Sequence, residues 1–280
     1  MTDAELEDLE KKAVEIRKLI LDSIGRLGIG HIGGSLSVVE VLTLLYFRHM
    51  RVDPENPSKP DRDKLVLSKG HAGPGLYAVL SLKGFFPKDW LLTLNRGGTR
   101  LPSHCDMRLT PGIDMTTGSL GQGLSAAVGL ALANRMDRID SRIYVILGDG
   151  ETHEGQVWEA AMCAAHAGLD SITGFIDYNN MTVDGHTTDI MNIENIEDKW
   201  QSFGWITQRV NGHDFPAIDN AIGKAKKQTG KPSMIVLDTV KGKGAFFAEG
   251  NIANHNMAFT YEQALEAIRM LEAGLSGGGK

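Results

Sequence analysis

The chain has 280 residues, 29 basic against 35 acidic side chains for a net charge of −6, and 42% apolar residues. That is enough apolar material for the core of one large α/β domain, and the mixed charges, with no basic stripe, argue against nucleic acid as a partner. Cys105 and Cys163 are too few for a disulfide framework or a thiolate zinc site, the polar opening MTDAELEDLEKK is no secretory signal and no apolar run reaches membrane-span length, so a cytoplasmic protein that does not enter a membrane is expected.

In chain order, a helix is predicted over 4–27, a second from Ser37 to His49, and a proline-rich loop from Asp53 to Asp63. Strands follow at Lys64–Leu67, Ile143–Leu147, Ile172–Ile176, Ile206–Val210 and Met234–Thr239. Helices are expected near 73–83, 120–138, 155–167 and 216–227. Strands alternating with helices predict an α/β fold with a parallel sheet covered by helices on both faces, and ligands bound outside the strand carboxyl ends. There is no internal repeat and no domain boundary. One domain over 1–270 is expected, with 271–280, ending GLSGGGK, as a flexible tail.

The stretch from Gly148 to Asn180 carries the most chemistry. RIYVIL, ending at Leu147, is broken by Gly148-Asp149-Gly150, and SITGFID, ending at Asp177, is followed by Asn179-Asn180. If the two strands are parallel neighbours, Asp149 and Asn179 meet at their carboxyl ends. A carboxylate, an amide oxygen and open backbone suit a hard cation such as magnesium, which keeps positions free for phosphate oxygens. Glycine on both sides of Asp149 lets a diphosphate approach the backbone. Taken alone, Gly-Asp-Gly is equally a tight turn.

The spacing 179 − 149 = 30 resembles the thiamine-diphosphate enzymes, whose shared motif begins with GDG and closes with NN. Within that group the chain is similar to the N-terminal, diphosphate-binding half of transketolase over roughly residues 10–265. Six segments in family order carry this likeness: GIGHIGGSLSVVEVL (28–42), LSKGHAGPGLYAVL (67–80), TTGSLGQGLSAAVGLALA (116–133), GDGETHEG (148–155), DYNNMTVDG (177–185) and DTVKGKG (238–244).

The resemblance implies a thiamin diphosphate-binding fold and a set of roles. Asp149, Asn179 and the Met181 carbonyl would hold magnesium, or calcium in its place. Gly150 would donate its N–H to the diphosphate, His71 and His255 would touch the same group, and Gly118 and Leu120 would lie against the aminopyrimidine. Catalytic roles fall to His31, His104 and His255, placed to hydrogen-bond to sugar oxygens. The setting of His104, LPSHCD, lacks the glycine and proline usual around it, and His255 lies in NHN rather than before glycine. His49, His166, His186 and His213 are read as structural or surface residues, and His153 is given no role. Glu154 resembles a glutamate that reaches toward a partner subunit; its plain alternative is a first-turn acid favoured by the helix dipole.

A full transketolase continues into a domain whose glutamate activates the cofactor, and none follows residue 280 here. The resemblance therefore implies a split enzyme that transfers a two-carbon ketol unit between sugar phosphates. A separate C-terminal subunit would complete it, as a heterotetramer with active sites at the interfaces. Pentose-phosphate intermediates are the family default; a modified or sulfonated sugar would leave the same marks on this half. An α-ketoacid dehydrogenase α subunit or a deoxyxylulose-phosphate synthase fragment is the nearest alternative, disfavoured by the GHIGGS and SKGHAG segments. A non-catalytic partner-binding subunit is the third reading.

Overall fold

A computed structural model describes residues 1–277. Helix α1 (Asp3–Leu27) buries Leu9, Ala13, Ile16, Ile20 and Ile24, a three-to-four spacing that lines one helical face. Thr2 and Glu5 close a capping box at its start, and Gly28, left-handed at φ 82°, ends it. A two-residue strand β1 (Ile29–Gly30), α2 (Ile32–Leu36) and α3 (Val39–Leu44) follow, and a π turn over Leu45–His49 closes α3. The helix expected from Ser37 to His49 is thus two pieces, the second distorted.

Then come β2 (Lys64–Leu67), α4 (Gly73–Lys83), α5 (Gln122–Asp137), β3 (Ile143–Gly148), α6 (Gly155–His166) and β4 (Ile172–Tyr178). Short helices α7 (Thr187–Ile190) and α8 (Ile196–Ser202) lead to β5 (Ile206–Asn211), α9 (Phe215–Lys227) and β6 (Ser233–Asp238). The chain closes with β7 (Met257–Ala258), antiparallel to β1, and α10 (Tyr261–Gly277). All five predicted strands form, each within two residues of its expected ends.

The main sheet has the order β2-β3-β4-β6-β5, with every pair parallel. Alternate side chains divide between two cores. Tyr144, Ile146, Phe175, Ile235 and Leu237 join the residues of α1, α3, α4 and α9 on one face, and Val145, Leu147, Ile172, Ile176 and Val236 join those of α5, α6 and α8 on the other. Two covered faces explain why β3 and β4 read as unbroken apolar runs rather than alternating ones.

Helix α10 departs from the expectation of a flexible tail from 271: it runs on to Gly277, while 278–280 lie outside the described residues. It packs on α1 because Gly25 has no side chain: a Cβ there would sit 2.6 Å from that of Ala264. Among the described residues no helix is long and apolar enough to cross a membrane.

Candidate active site

The loops that leave β2, β3, β4 and β6 gather at the carboxyl end of the sheet. One cleft there is lined by Lys69 and His71 after β2, by Leu120, by Asp149–Glu151 after β3, by Asn179 and Met181–Asp184 after β4, and by Lys241 and His255.

Asp149 is 2% exposed. Its Oδ1 accepts the Gly150 N–H at 2.8 Å and its Oδ2 accepts the Asn179 N–H at 3.0 Å. Asn179 in turn accepts the Met181 N–H at 3.1 Å and donates to Asp177 at 3.1 Å. The three residues expected to hold the metal are therefore hydrogen-bonded in one chain, because register pairs Gly148 with Asp177 and sets the two turns side by side. Burial, and then the neighbouring Asp177 carboxylate, raises the Asp149 carboxyl to about 6.

The donor set fits a hard cation. Among the described residues no three His, Cys, Asp or Glu side chains form a metal cluster. The oxygens on offer are one carboxylate, one amide and the Met181 carbonyl, which leaves several positions for phosphate and water. A positive charge already lies against this region: Lys241 Nζ donates to the Met181 and Thr182 carbonyls, each at 3.2 Å, and lies 3.5 Å from His255 Nδ1. Burial, then Lys69, lowers Lys241 to about 8. A Cβ on Gly150 would crowd Thr182 Cγ2 at 3.1 Å.

The four histidines singled out in the sequence converge. His31 has its ring centroid 5.4 Å from His71, 5.4 Å from His104 and 5.5 Å from His255, and His71 lies 4.6 Å from His255. They come from the start of α2, the turn after β2, a loop before α5 and the turn before β7. Burial lowers His31 to about 4, helped by His104 and Lys241; burial and Lys241 lower His255 to about 3. His71 falls well below the usual value and His104 falls with it, again through burial. The cluster is neutral at pH 7, and each ring has one donor and one acceptor nitrogen.

Gly118, at φ 143°, brings its backbone against the His104 ring, where a Cβ would stand 3.0 Å away. Leu120 lines the cleft. Glu154 caps α6 with an exposed carboxylate that makes no hydrogen bond among the described residues. His153 lines the cleft, with Nε2 buried and without a hydrogen-bond partner among the described residues. The ring contacts of this cluster involve none of His49, His166, His186 and His213; His49 lies beside Asp219 and His213 beside Glu40.

Sequence reasoning misses four buried charged groups beside the site. Asp177, fully buried, takes hydrogen bonds from Lys69, from Ser37 at 2.7 Å and from Thr239. Although burial pushes its carboxyl up, Lys69 and these donors hold it below the ordinary value. Glu151, also 2% exposed, joins three segments: Oε1 accepts Ser68 Oγ at 2.5 Å and the Gly121 N–H at 2.9 Å, and Oε2 accepts the Gly148 N–H at 3.1 Å. Lys241, 4% exposed, and Lys69, 2%, are the third and fourth. All four stand inside the six segments quoted from the sequence, next to residues that were named. The available signal is a charged side chain among glycines at a strand end.

The model of the transketolase thiamine diphosphate binding domain matches residues 9–272. The SqwG component of a 6-deoxy-6-sulfo-D-fructose transketolase from Clostridium sp. (strain MSTE9) is 59% identical across 95% of this chain and 96% of its own. A component of the apulose-4-phosphate transketolase of Phocaeicola vulgatus, likewise named as one subunit of its enzyme, is 39% identical across 95% and 94%. Among solved structures, a transketolase variant from Pichia stipitis superposes with a TM-score of 0.88 at 32% identity, and the Leishmania mexicana transketolase with 0.85 at 29%. This chain spans 40% and 45% of those two, less than half of each.

Proposed function

The chain belongs to the transketolase family, and on that premise we propose that it is the diphosphate-binding subunit of a two-subunit transketolase that moves a two-carbon ketol unit from a ketose to an aldose. The observation that carries this is the juxtaposition of the Asp149–Asn179–Met181 turn with the ring of four neutral histidines in and around one cleft.

Thiamine diphosphate, when bound, supplies a nucleophilic thiazolium carbon and an electron sink for the two-carbon unit. Asp149, Asn179 and the Met181 carbonyl would hold magnesium or calcium. The Gly150 N–H, His71, His255 and Lys241 would bind the diphosphate, and Gly118 and Leu120 would lie against the aminopyrimidine. His31, His104 and His255 orient the hydroxyl and carbonyl oxygens of the sugars. Each neutral ring can donate from one nitrogen to a carbonyl or alkoxide oxygen and accept from a hydroxyl with the other.

A separate C-terminal subunit contributes the residues that activate the cofactor and hold the charged end of the sugar, in a heterotetramer to which Glu154 reaches across. We place the enzyme in the cytoplasm. For the donor we propose a ketose with an anionic terminus, 6-deoxy-6-sulfofructose first and apulose 4-phosphate second, following the order of likeness to the two relatives. The test is reconstitution with the neighbouring C-terminal subunit, thiamine diphosphate and magnesium, glyceraldehyde 3-phosphate as acceptor and each ketose in turn, xylulose 5-phosphate included. Turnover of the sulfonated donor by the mixture alone is expected. Activity of the isolated chain, or none with any donor, overturns the reading.

A further inference from the structure

Lys241 reaches the cleft from a loop, 239–244, that has no helix or strand to hold it. Its backbone is held instead by a buried polar chain that begins on α1. Arg17 on α1 donates from Nη2 to Glu40 Oε1 at 2.7 Å and from Nε to the Lys243 carbonyl at 3.1 Å. Glu40 Oε2 lies 3.1 Å from His213 Nδ1, and His213 Nε2 accepts the Val240 N–H at 2.8 Å. Because Nε2 accepts, the proton of this ring is on Nδ1 and is donated to Glu40. The side chains of Arg17, Glu40 and His213 are 7%, 8% and 13% exposed, so water does not substitute readily for a lost partner. The Gly242 N–H is fixed on the Gly33 carbonyl at 3.0 Å, and Asn254 donates to the Lys241 carbonyl at 3.0 Å.

We infer that Glu40 and His213 are positioning residues for the cofactor site: His213 fixes Val240, and Glu40, through Arg17, fixes Lys243, so that the Lys241 ammonium between them is held in the cleft to face the diphosphate. Neither residue lines the cleft, and the sequence places His213 among structural histidines. The inference rests on the functional reading above, since it assigns the loop to diphosphate binding.

His213→Phe fills the space and leaves the Val240 N–H and one Glu40 oxygen without a partner. In the reconstituted two-subunit enzyme, KM for thiamine diphosphate is expected to rise about tenfold, the scale of one lost buried hydrogen bond. At saturating cofactor, kcat and KM for the sugars stay within about twofold. His213→Gln, whose amide can accept from Val240 and donate to Glu40, restores most of the affinity. A wild-type cofactor KM in the Phe variant, a Gln variant as impaired as the Phe variant, or a loss confined to kcat overturns the inference.

Amide hydrogen exchange on the chain alone separates this from the functional reading. Residues 239–244 should exchange faster in His213→Phe while β3 is unchanged. If the wild-type enzyme binds no thiamine diphosphate, the functional reading falls and exchange still decides whether His213 holds the loop; unchanged exchange over 239–244 overturns the positioning role. Should the Phe variant not fold, Glu40→Gln, which keeps the shape, is read in the same two ways.

Discussion

Asp149 Oδ2 accepts the backbone N–H of Asn179 across the ends of β3 and β4, at 3.0 Å, so the carboxylate on one strand end sets the position of the amide on the next. Asp149 is nearly isosteric with asparagine, which can keep one of the two backbone hydrogen bonds but carries no charge. In Asp149→Asn, the rise in melting temperature that magnesium and thiamine diphosphate together give the wild type should disappear. For a ligand at a hundred times its Kd that rise corresponds to about 2.7 kcal/mol. The unliganded melting temperature should fall little, because a buried carboxyl raised to about 6 is itself a cost in the empty fold. A retained ligand-induced shift would count against Asp149 as a metal ligand.

Lys69 and Asp177 form an ion pair in the floor of the cleft, 2% and 0% exposed by side chain. Removing one partner leaves a desolvated charge, so Asp177→Ala is expected to lower the unfolding free energy by about 3–5 kcal/mol. Ser37 and Thr239 lose their acceptor at the same time. Asp177→Asn, which keeps an acceptor oxygen, should lose less. Urea denaturation of the three proteins decides it, and an alanine variant within about 1 kcal/mol of wild type would show that the pair is worth no more than a surface one.

Gly121 precedes α5 at φ 82°, and a Cβ on it would lie 2.7 Å from that of Glu154. Its N–H is held by Glu151 at 2.9 Å. Gly121→Ala therefore meets a left-handed backbone cost of about 1–2 kcal/mol and must also push Glu154 aside. Because Glu154 is the residue proposed to reach the partner, the variant should form less heterotetramer when mixed with the C-terminal subunit under conditions where its own circular dichroism is normal. Unimpaired assembly, measured by analytical ultracentrifugation, would remove Glu154 from the interface.

The turn at Asp149 and Asn179 is legible in the sequence because it needs only two strand ends and their spacing, and parallel neighbours do the rest. His31, His71, His104 and His255 are legible through the segments that contain them; nothing in periodicity brings four loops to one point. Asp177 is not legible, since it reads as the last residue of an apolar strand and its partner Lys69 stands 108 positions away. Such a pairing is set by sheet order, which places β4 two strands from β2 and turns both strand ends into one cleft. His213 reads as a structural or surface residue of no consequence to the site because its two partners, Glu40 and Val240, come from remote segments. The extent of α10 to Gly277 is not legible because the sequence from Gly274, GLSGGG, reads as a glycine-rich tail, whereas its packing on α1 is carried by Ala264, Ala267 and Ile268 earlier in the helix.

The same burial that keeps the histidines neutral predicts how stability responds to acid. His31 and His49 are lowered to about 4 and His255 to about 3, and His71 and His104 are lowered as well. An unfolded chain protonates its histidines near 6.5, so below that pH it binds protons that the folded chain refuses, and stability falls as pH falls. Asp149, Glu151 and Asp114 act the other way: their carboxyls are raised in the fold, through burial first, so the fold takes up protons before the unfolded chain does. Asp149, raised to about 6, begins to offset the loss only below that pH. Between about pH 7 and 6 the histidines act alone, and below about 6 five histidines oppose three carboxyls. The urea midpoint should thus decline steadily from about pH 6.5 to 5, and, because Lys241 is lowered to about 8 in the fold, it should still climb as pH rises above that value. His49 lies away from the cleft, beside Asp219 and close to Lys226, so His49→Gln removes one proton-refusing group without touching the site and should make that decline shallower. A midpoint that holds or rises on acidification to about pH 5 would mean that the imidazoles take up protons in the fold, and the neutral cluster proposed for the site would have to be given up.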